Sequence, residues 1–224
     1  MSEYLHVSDT HGQLHVAVIG GGIGGLCLAQ GLKRAGVSVA VYERNRARSD
    51  WLQGYRIHIN PHGSRSLHEC LPPDLWQAFV ATSGKPSAGF SFVTEQLEDL
   101  LVLGRDLIDA GQSDGMTGHH SVSRITLRQV LLSGMDDVVQ FDKEFLGYER
   151  VEDGGVRACF SDGSSAAGDV LVAADGANSR VRQQYLPQAQ RIDTGVLAIA
   201  GKLPPNDGTR AVLPPRCRRG STQP

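Results

Sequence analysis

The chain has 224 residues, of which 40% are hydrophobic and 21% charged, with 27 glycines and 10 prolines. At roughly 100–200 residues per domain this is one large domain or one and a half, and the profile excludes wholesale disorder. Twenty-two basic against 24 acidic residues leave a net charge of −2, so no overall basic field exists to draw in nucleic acid or an acidic membrane.

The N-terminus, MSEYLHVSDT, carries an acid and no apolar run, and is not read as a secretory signal. The most membrane-like run, residues 16–32, holds six glycines and is too short to span comfortably. Cys27, Cys70, Cys159 and Cys217 lie far apart without a C-x-x-C pair. They are expected to be buried or incidental thiols, and the protein to be cytoplasmic.

Residues 14–19 (LHVAVI) form a short apolar run ended by glycine, which predicts a strand. Residues 23–35 then place Ile23, Leu26, Leu28, Ala29 and Leu32 at helical spacing, with Gly36 as the stop. Residues 37–42 (VSVAVY) predict a second strand, completing a βαβ unit and implying a parallel sheet. Beyond it, residues 54–59 predict a strand, Asn60-Pro61-His62-Gly63 a turn, and residues 64–71 and 74–80 helices. Strands are expected at 90–94 and 100–103, a loop at 105–118, and a helix at 125–132 with Ser123 as its N-cap. Three more strands follow at 138–141, 145–149 and 156–160, then a hairpin turn at Asp162-Gly163. A buried strand at 169–173 enters a loop at Asp175-Gly176. After Val181 the prolines multiply around one apolar stretch, residues 195–200. The end, with Arg210, Arg216, Arg218 and Arg219, reads as a frayed basic tail.

At the first strand-to-helix junction stand Gly20-x-Gly22-x-x-Gly25. Gly20 would allow the tight turn, Gly22 would let a pyrophosphate reach the backbone, and Gly25 would let helix and strand pack closely. The helix N-terminus would offer unpaired N–H groups to the phosphates. Glu43 ends the second strand, where its carboxylate would accept hydrogen bonds from an adenosine ribose. The motif predicts a dinucleotide and leaves FAD and NAD(P) open, with Glu43 disfavouring a 2′-phosphate. His119-His120 has no third ligand at suitable spacing and reads as a loop pair, not a metal site. Neither a Gly-x-Ser-x-Gly elbow nor a Walker loop is present.

In combination with the glycine motif, residues 169–182 (DVLVAADGANSRVR) resemble the Asp-Gly motif of the para-hydroxybenzoate-hydroxylase-like flavoprotein monooxygenases. Arg124 falls where that family keeps an arginine at a helix start near FAD, and a cation there, locally unfavourable, suggests an anionic partner. Gly54 resembles the glycine of the family's strand beside the flavin, and Glu43-Arg44 its acid and basic pair. These matches run in the family's order from about residue 14 to 182.

The resemblance implies an α/β fold: a Rossmann-like FAD-binding domain of the glutathione-reductase type over residues 1–182, with inserted strands of the substrate region. Residues 183–224 would begin a mixed-sheet substrate domain and end in a disordered tail. It implies FAD held by Gly20, Gly22, Gly25, Glu43, Arg44, Gly54, Arg124, Asp175 and Gly176, with NAD(P)H as co-substrate. Through a flavin C4a-hydroperoxide, one oxygen of O2 would pass to an aromatic or polyketide-like small molecule. The family's later Gly-Asp motif has no counterpart after Arg182, so the chain reads as C-terminally truncated and no catalytic acid or base is assigned. Two other functions stay open: a flavin-dependent reductase or halogenase of the same fold, and a non-catalytic nucleotide-binding remnant.

Overall fold

The computed structural model describes residues 14–47, 56–84, 89–104, 118–152, 154–197 and 206–212. β1 (His15–Ile19), α1 (Ile23–Arg34) and β2 (Ser38–Tyr42) form the expected βαβ unit. β3 (Arg56–Ile59) leads through α2 (Pro61–Cys70) and α3 (Pro73–Thr82) to a hairpin of β4 (Gly89–Val93) and β5 (Asp99–Gly104). β6 (His120–Ser123) runs directly into α4 (Arg124–Leu132), followed by β7 (Val139–Gln140). A meander of β8 (Phe145–Arg150), β9 (Val156–Phe160) and β10 (Ser165–Gly168) precedes β11 (Val170–Ala173), α5 (Arg180–Tyr185) and α6 (Asp207–Val212).

The central sheet has the order β11-β1-β2-β7, with every pairing parallel. Alternation along β1 explains the layers. Val16 and Val18 face a core built with Leu26 of α1, Leu67 of α2, Phe79 of α3 and Leu127 and Leu131 of α4. Ala17 and Ile19 face the other way, against Phe145, Ala158 and Phe160 of the meander and Val181 of α5. A strand covered on both faces has no polar side to show, hence the unbroken apolar run of its sequence. Tyr42 anchors the second core, its ring centroid 4.8 Å from that of Phe160.

Several expectations shift. Asn60-Pro61-His62-Gly63 is the start of α2, not a free turn: Asn60 Oδ1 accepts from the Gly63 N–H at 2.9 Å and Pro61 opens the helix. Asparagine and proline serve an N-cap and N1 as well as they serve a turn. Ser123 stands at the N-cap of α4 but makes no side-chain capping bond. β6 and β10 were not expected. β6 exists through antiparallel pairing with β3, and β10 is the return strand of the Asp162-Gly163 hairpin. The apolar stretch expected at 195–200 is described only to residue 197, where it forms no strand and leaves Val196 and Leu197 exposed. Among the described residues no helix is long and apolar enough to cross a membrane; the run from 16 to 32 divides into β1, a glycine turn and α1.

Behind β6, His120 packs against Phe79 and Trp76, with centroids 4.9 and 6.0 Å away. Burial, and secondarily the charge of His119, hold its pKa below the ordinary 6.5. The unfolded chain therefore takes up a proton at a pH where the folded chain does not, so this contribution to stability is intact above the unfolded value and is lost as pH falls below it. Thermal midpoints measured from about pH 7 to about pH 5 should fall more steeply for the wild type than for His120→Phe. Parallel curves would mean that His120 titrates as it does in the unfolded chain.

Candidate functional site

The carboxyl ends of β1, β2 and β11 open on one cleft of about 300 Å³, the place where parallel α/β sheets present ligand sites. The turn after β1 is shaped by contact. Gly20 has φ +110°, and a Cβ there would stand 2.7 Å from the Ala174 carbonyl carbon and 2.9 Å from Asp175 Cα. Only glycine lets the β1 turn lie directly on the β11 turn. A Cβ on Gly25 would overlap the Gly20 carbonyl oxygen, so α1 too is drawn against the turn it follows. Gly22, by contrast, has open space where a Cβ would project. It is the N-cap of α1, and neither a side-chain cap nor a first-turn acid occupies that helix end. The first-turn N–H groups and the positive end of the helix dipole are thus left to the cleft.

Glu43, at the end of β2, is 8% exposed and lines the cleft. Its carboxylate already accepts two backbone hydrogen bonds, from the Gly21 N–H to Oε2 at 2.7 Å and from the Asn45 N–H to Oε1 at 3.0 Å. A carboxylate has about four acceptor positions, so capacity for a ligand hydroxyl remains. Across the cleft, Ser179 is the N-cap of α5 and Asp175 supplements it: its Oδ2 accepts from the Arg180 N–H at 2.8 Å, while its Oδ1 is buried with no hydrogen-bond partner. Gly176 follows in the same turn and also lines the cleft.

Cations dominate the rest of the wall. Arg44, Arg124, Arg128, Lys143 and Arg180 line the cleft together with the carboxylates of Glu43, Glu144 and Asp175. Arg180 is partly engaged, with Nη2 2.8 Å from Glu144 Oε1, and Lys143 Nζ is 2.6 Å from Asp162 Oδ2. The excess of positive charge suits a polyanionic ligand. The structure therefore brings Gly20, Gly22, Glu43, Arg44, Arg124, Asp175 and Gly176 to one cleft, with Gly25 directly behind it. Gly54 lies outside the described residues.

Sequence reasoning missed Arg128. This arginine is 4% exposed, and its Nε donates to the Gly21 carbonyl at 3.2 Å, propping the glycine turn from beneath. The signal was available: Arg128 stands one helical turn after Arg124, and residues four apart share a face. Near the β3–β6 pair, His58 Nε2 and His119 Nδ1 are 2.7 Å apart. Among the described residues no three His, Cys, Asp or Glu side chains are placed to hold a metal.

The family model for an FAD binding domain matches residues 13–201. A curated relative, the dual O-methyltransferase/FAD-dependent monooxygenase elcB of Phaeosphaeria nodorum, is 32% identical over 212 residues, which is 93% of this chain and 23% of the relative. The FAD-dependent monooxygenase phnB of Penicillium herquei is 32% identical over 81% of this chain and 42% of its own length. Among solved structures, one assigned as an FAD containing monooxygenase from Photorhabdus luminescens superposes with a TM-score of 0.77 at 39% identity, covering 93% of this chain and 51% of that one. HpxO of Klebsiella pneumoniae, solved with FAD and uric acid, gives 0.60 at 30% identity, covering 79% and 43%. The chain thus spans about half, or less, of the length of these relatives.

Proposed function

The chain belongs to the FAD binding domain family of FAD-dependent monooxygenases, and from that membership we propose that its cleft holds FAD for the NAD(P)H- and O2-dependent hydroxylation of an aromatic or polyketide-like small molecule. The observation that carries this reading is the uncapped start of α1, cleared at Gly22, between the Glu43 carboxylate and a wall of cations. A dinucleotide has a pyrophosphate for the first and third of these features and a ribose diol for the second.

Each residue then has a distinct task. Gly22 and the first-turn N–H groups of α1 bind the pyrophosphate. Glu43 takes the adenosine ribose on its remaining acceptor positions, while its two backbone bonds keep the glycine turn in place. Arg44 and Arg124 neutralise charge at the mouth. Asp175, in the turn shared between FAD and NAD(P)H contacts, offers its buried, unpartnered Oδ1 to a ligand donor. Gly54 is assigned a place beside the ring on the resemblance alone. When bound, FAD supplies the redox chemistry, taking electrons from a nicotinamide and using O2 to oxygenate the substrate. The chain contributes binding, orientation and charge.

The test is the visible absorption spectrum of the purified chain after incubation with FAD and gel filtration. Near-stoichiometric flavin absorbance in the protein peak is expected. A chain that is folded by circular dichroism yet retains no flavin would show that the cleft is not a self-sufficient FAD site. Oxidation of NAD(P)H stimulated by added aromatic compounds, with product formed, then tests the catalytic part of the reading.

A further inference from the structure

Two thiols that the sequence keeps far apart meet where α1 crosses α2. Cys27 and Gly31 stand one turn apart on one face of α1, and Ser66 and Cys70 one turn apart on one face of α2. Cys70 sits directly over Gly31: a Cβ built on that glycine would be 2.9 Å from Cys70 Sγ and 3.5 Å from Cys70 Cα. In the opposite sense, Cys27 Sγ reaches to 3.9 Å from the Ser66 carbonyl oxygen. The helices therefore interlock with each cysteine seated on the other helix, and the absent side chain of Gly31 permits the approach. Burial pushes the Cys27 thiol up to about 12, and the neighbouring Cys70 adds to this through its charge and a side-chain hydrogen bond. Both residues are only partly buried, so reagents can reach the seam.

We propose that Cys27 and Cys70 are a modification site at which exchange with a low-molecular-weight disulfide closes an α1–α2 cross-link. A disulfide needs α-carbons within about 4.4–6.8 Å. Here Cys70 lies against Gly31, one turn from Cys27, and Cys27 Sγ reaches the carbonyl of Ser66, one turn before Cys70, so each thiol projects toward the other's turn. In the exchange the two thiols are oxidised to one S–S bond. Two electrons pass to the reagent's S–S bond, which breaks, and the two thiol protons leave on the two small thiols it becomes. Because burial keeps Cys27 protonated, the reaction is slow at neutral pH and faster at alkaline pH. The product ties α1, whose first turn faces the cleft, to α2, and closes a loop from residue 27 to residue 70.

The experiment incubates the purified full chain with oxidised glutathione, blocks remaining thiols with iodoacetamide, and maps the tryptic peptides without reduction. A Cys27–Cys70 linked peptide is expected, with loss of two titratable thiols and no retained glutathione at either position. The thermal midpoint should rise by roughly 5–10 °C and return to its starting value after dithiothreitol. Cys27→Ala should yield neither the link nor the rise, and Cys70→Ala is a second route to the same comparison. Glutathione adducts without the link, or complete alkylation of both residues after the incubation, would overturn the proposal; both are read on the wild-type chain whatever the variants' folding.

Discussion

Gly25→Ala destabilises the chain by about 1–3 kcal/mol and abolishes FAD retention, although alanine is the better helix former. In an exposed helix interior the exchange of glycine for alanine gains roughly 0.5–1 kcal/mol, chiefly by restricting the unfolded chain. At Gly25 the added methyl would overlap the Gly20 carbonyl oxygen and stand 3.1 Å from Ala174 Cβ. The first of these is backbone and cannot rotate away. Relief requires α1 to move off the β1 turn, which breaks the seam between the β1 and β11 turns and misdirects the first-turn N–H groups that face the cleft. Gly24 is the internal control, since it lies in the same helix with nothing within 4 Å of where its Cβ would be. Gly24→Ala should be neutral or stabilising by up to about 1 kcal/mol. Urea denaturation of the two variants without FAD decides the matter. Equal stabilities would mean that the turn yields freely and that Gly25 is not a packing requirement.

This contrast also marks what was legible in the sequence. Gly20 and Gly25 were readable because their tasks are set by contacts between one turn and the elements beside it, so spacing alone reports them. The apolar run of β1 was readable for a related reason: a strand buried on both faces carries no polar alternation to confuse with a helix. β11 also stands where it was expected, but as an edge strand with Val170 exposed, not as a buried one. Glu43 lines the cleft at the end of β2, but its structural work was hidden. That its oxygens hold Gly21 and Asn45 depends on how the turns at the ends of β1 and β2 close, and no pattern in the chain encodes it. The four residues of β6 are polar apart from Val122 and form a strand only because β3 lies beside them. Asn60-Pro61 was misjudged because one pair of residues satisfies both a turn and a helix start. Cys27 and Cys70 looked incidental since the contact between them belongs to helix packing alone.

The two jobs of Glu43 can be separated, and its second large effect follows from them. Glu43→Ala removes the acceptor of the buried Gly21 N–H, a loss of about 1–3 kcal/mol in stability before any ligand is added. It also removes the acceptor assigned to the ribose, weakening FAD by about another 1–3 kcal/mol, or roughly fivefold to 150-fold in Kd. Glu43→Gln does not restore the first job. Two N–H donors approach the two carboxylate oxygens separately, from Gly21 and from Asn45, so whichever way the amide is turned its NH2 meets a donor. The glutamine variant should thus lie nearer to alanine than to wild type in stability, although it is nearly the same size and still offers the ribose one oxygen. Denaturation without FAD and flavin titration of the same three proteins give the two quantities independently. An FAD affinity unchanged in Glu43→Ala would move the ribose elsewhere, and a Gln variant as stable as wild type would mean that one of the two backbone bonds contributes nothing. The loss of stability without FAD, if found, places the carboxylate in the architecture of the turn as well as in recognition, which is the physical reason an acid at the end of β2 accompanies the glycines after β1.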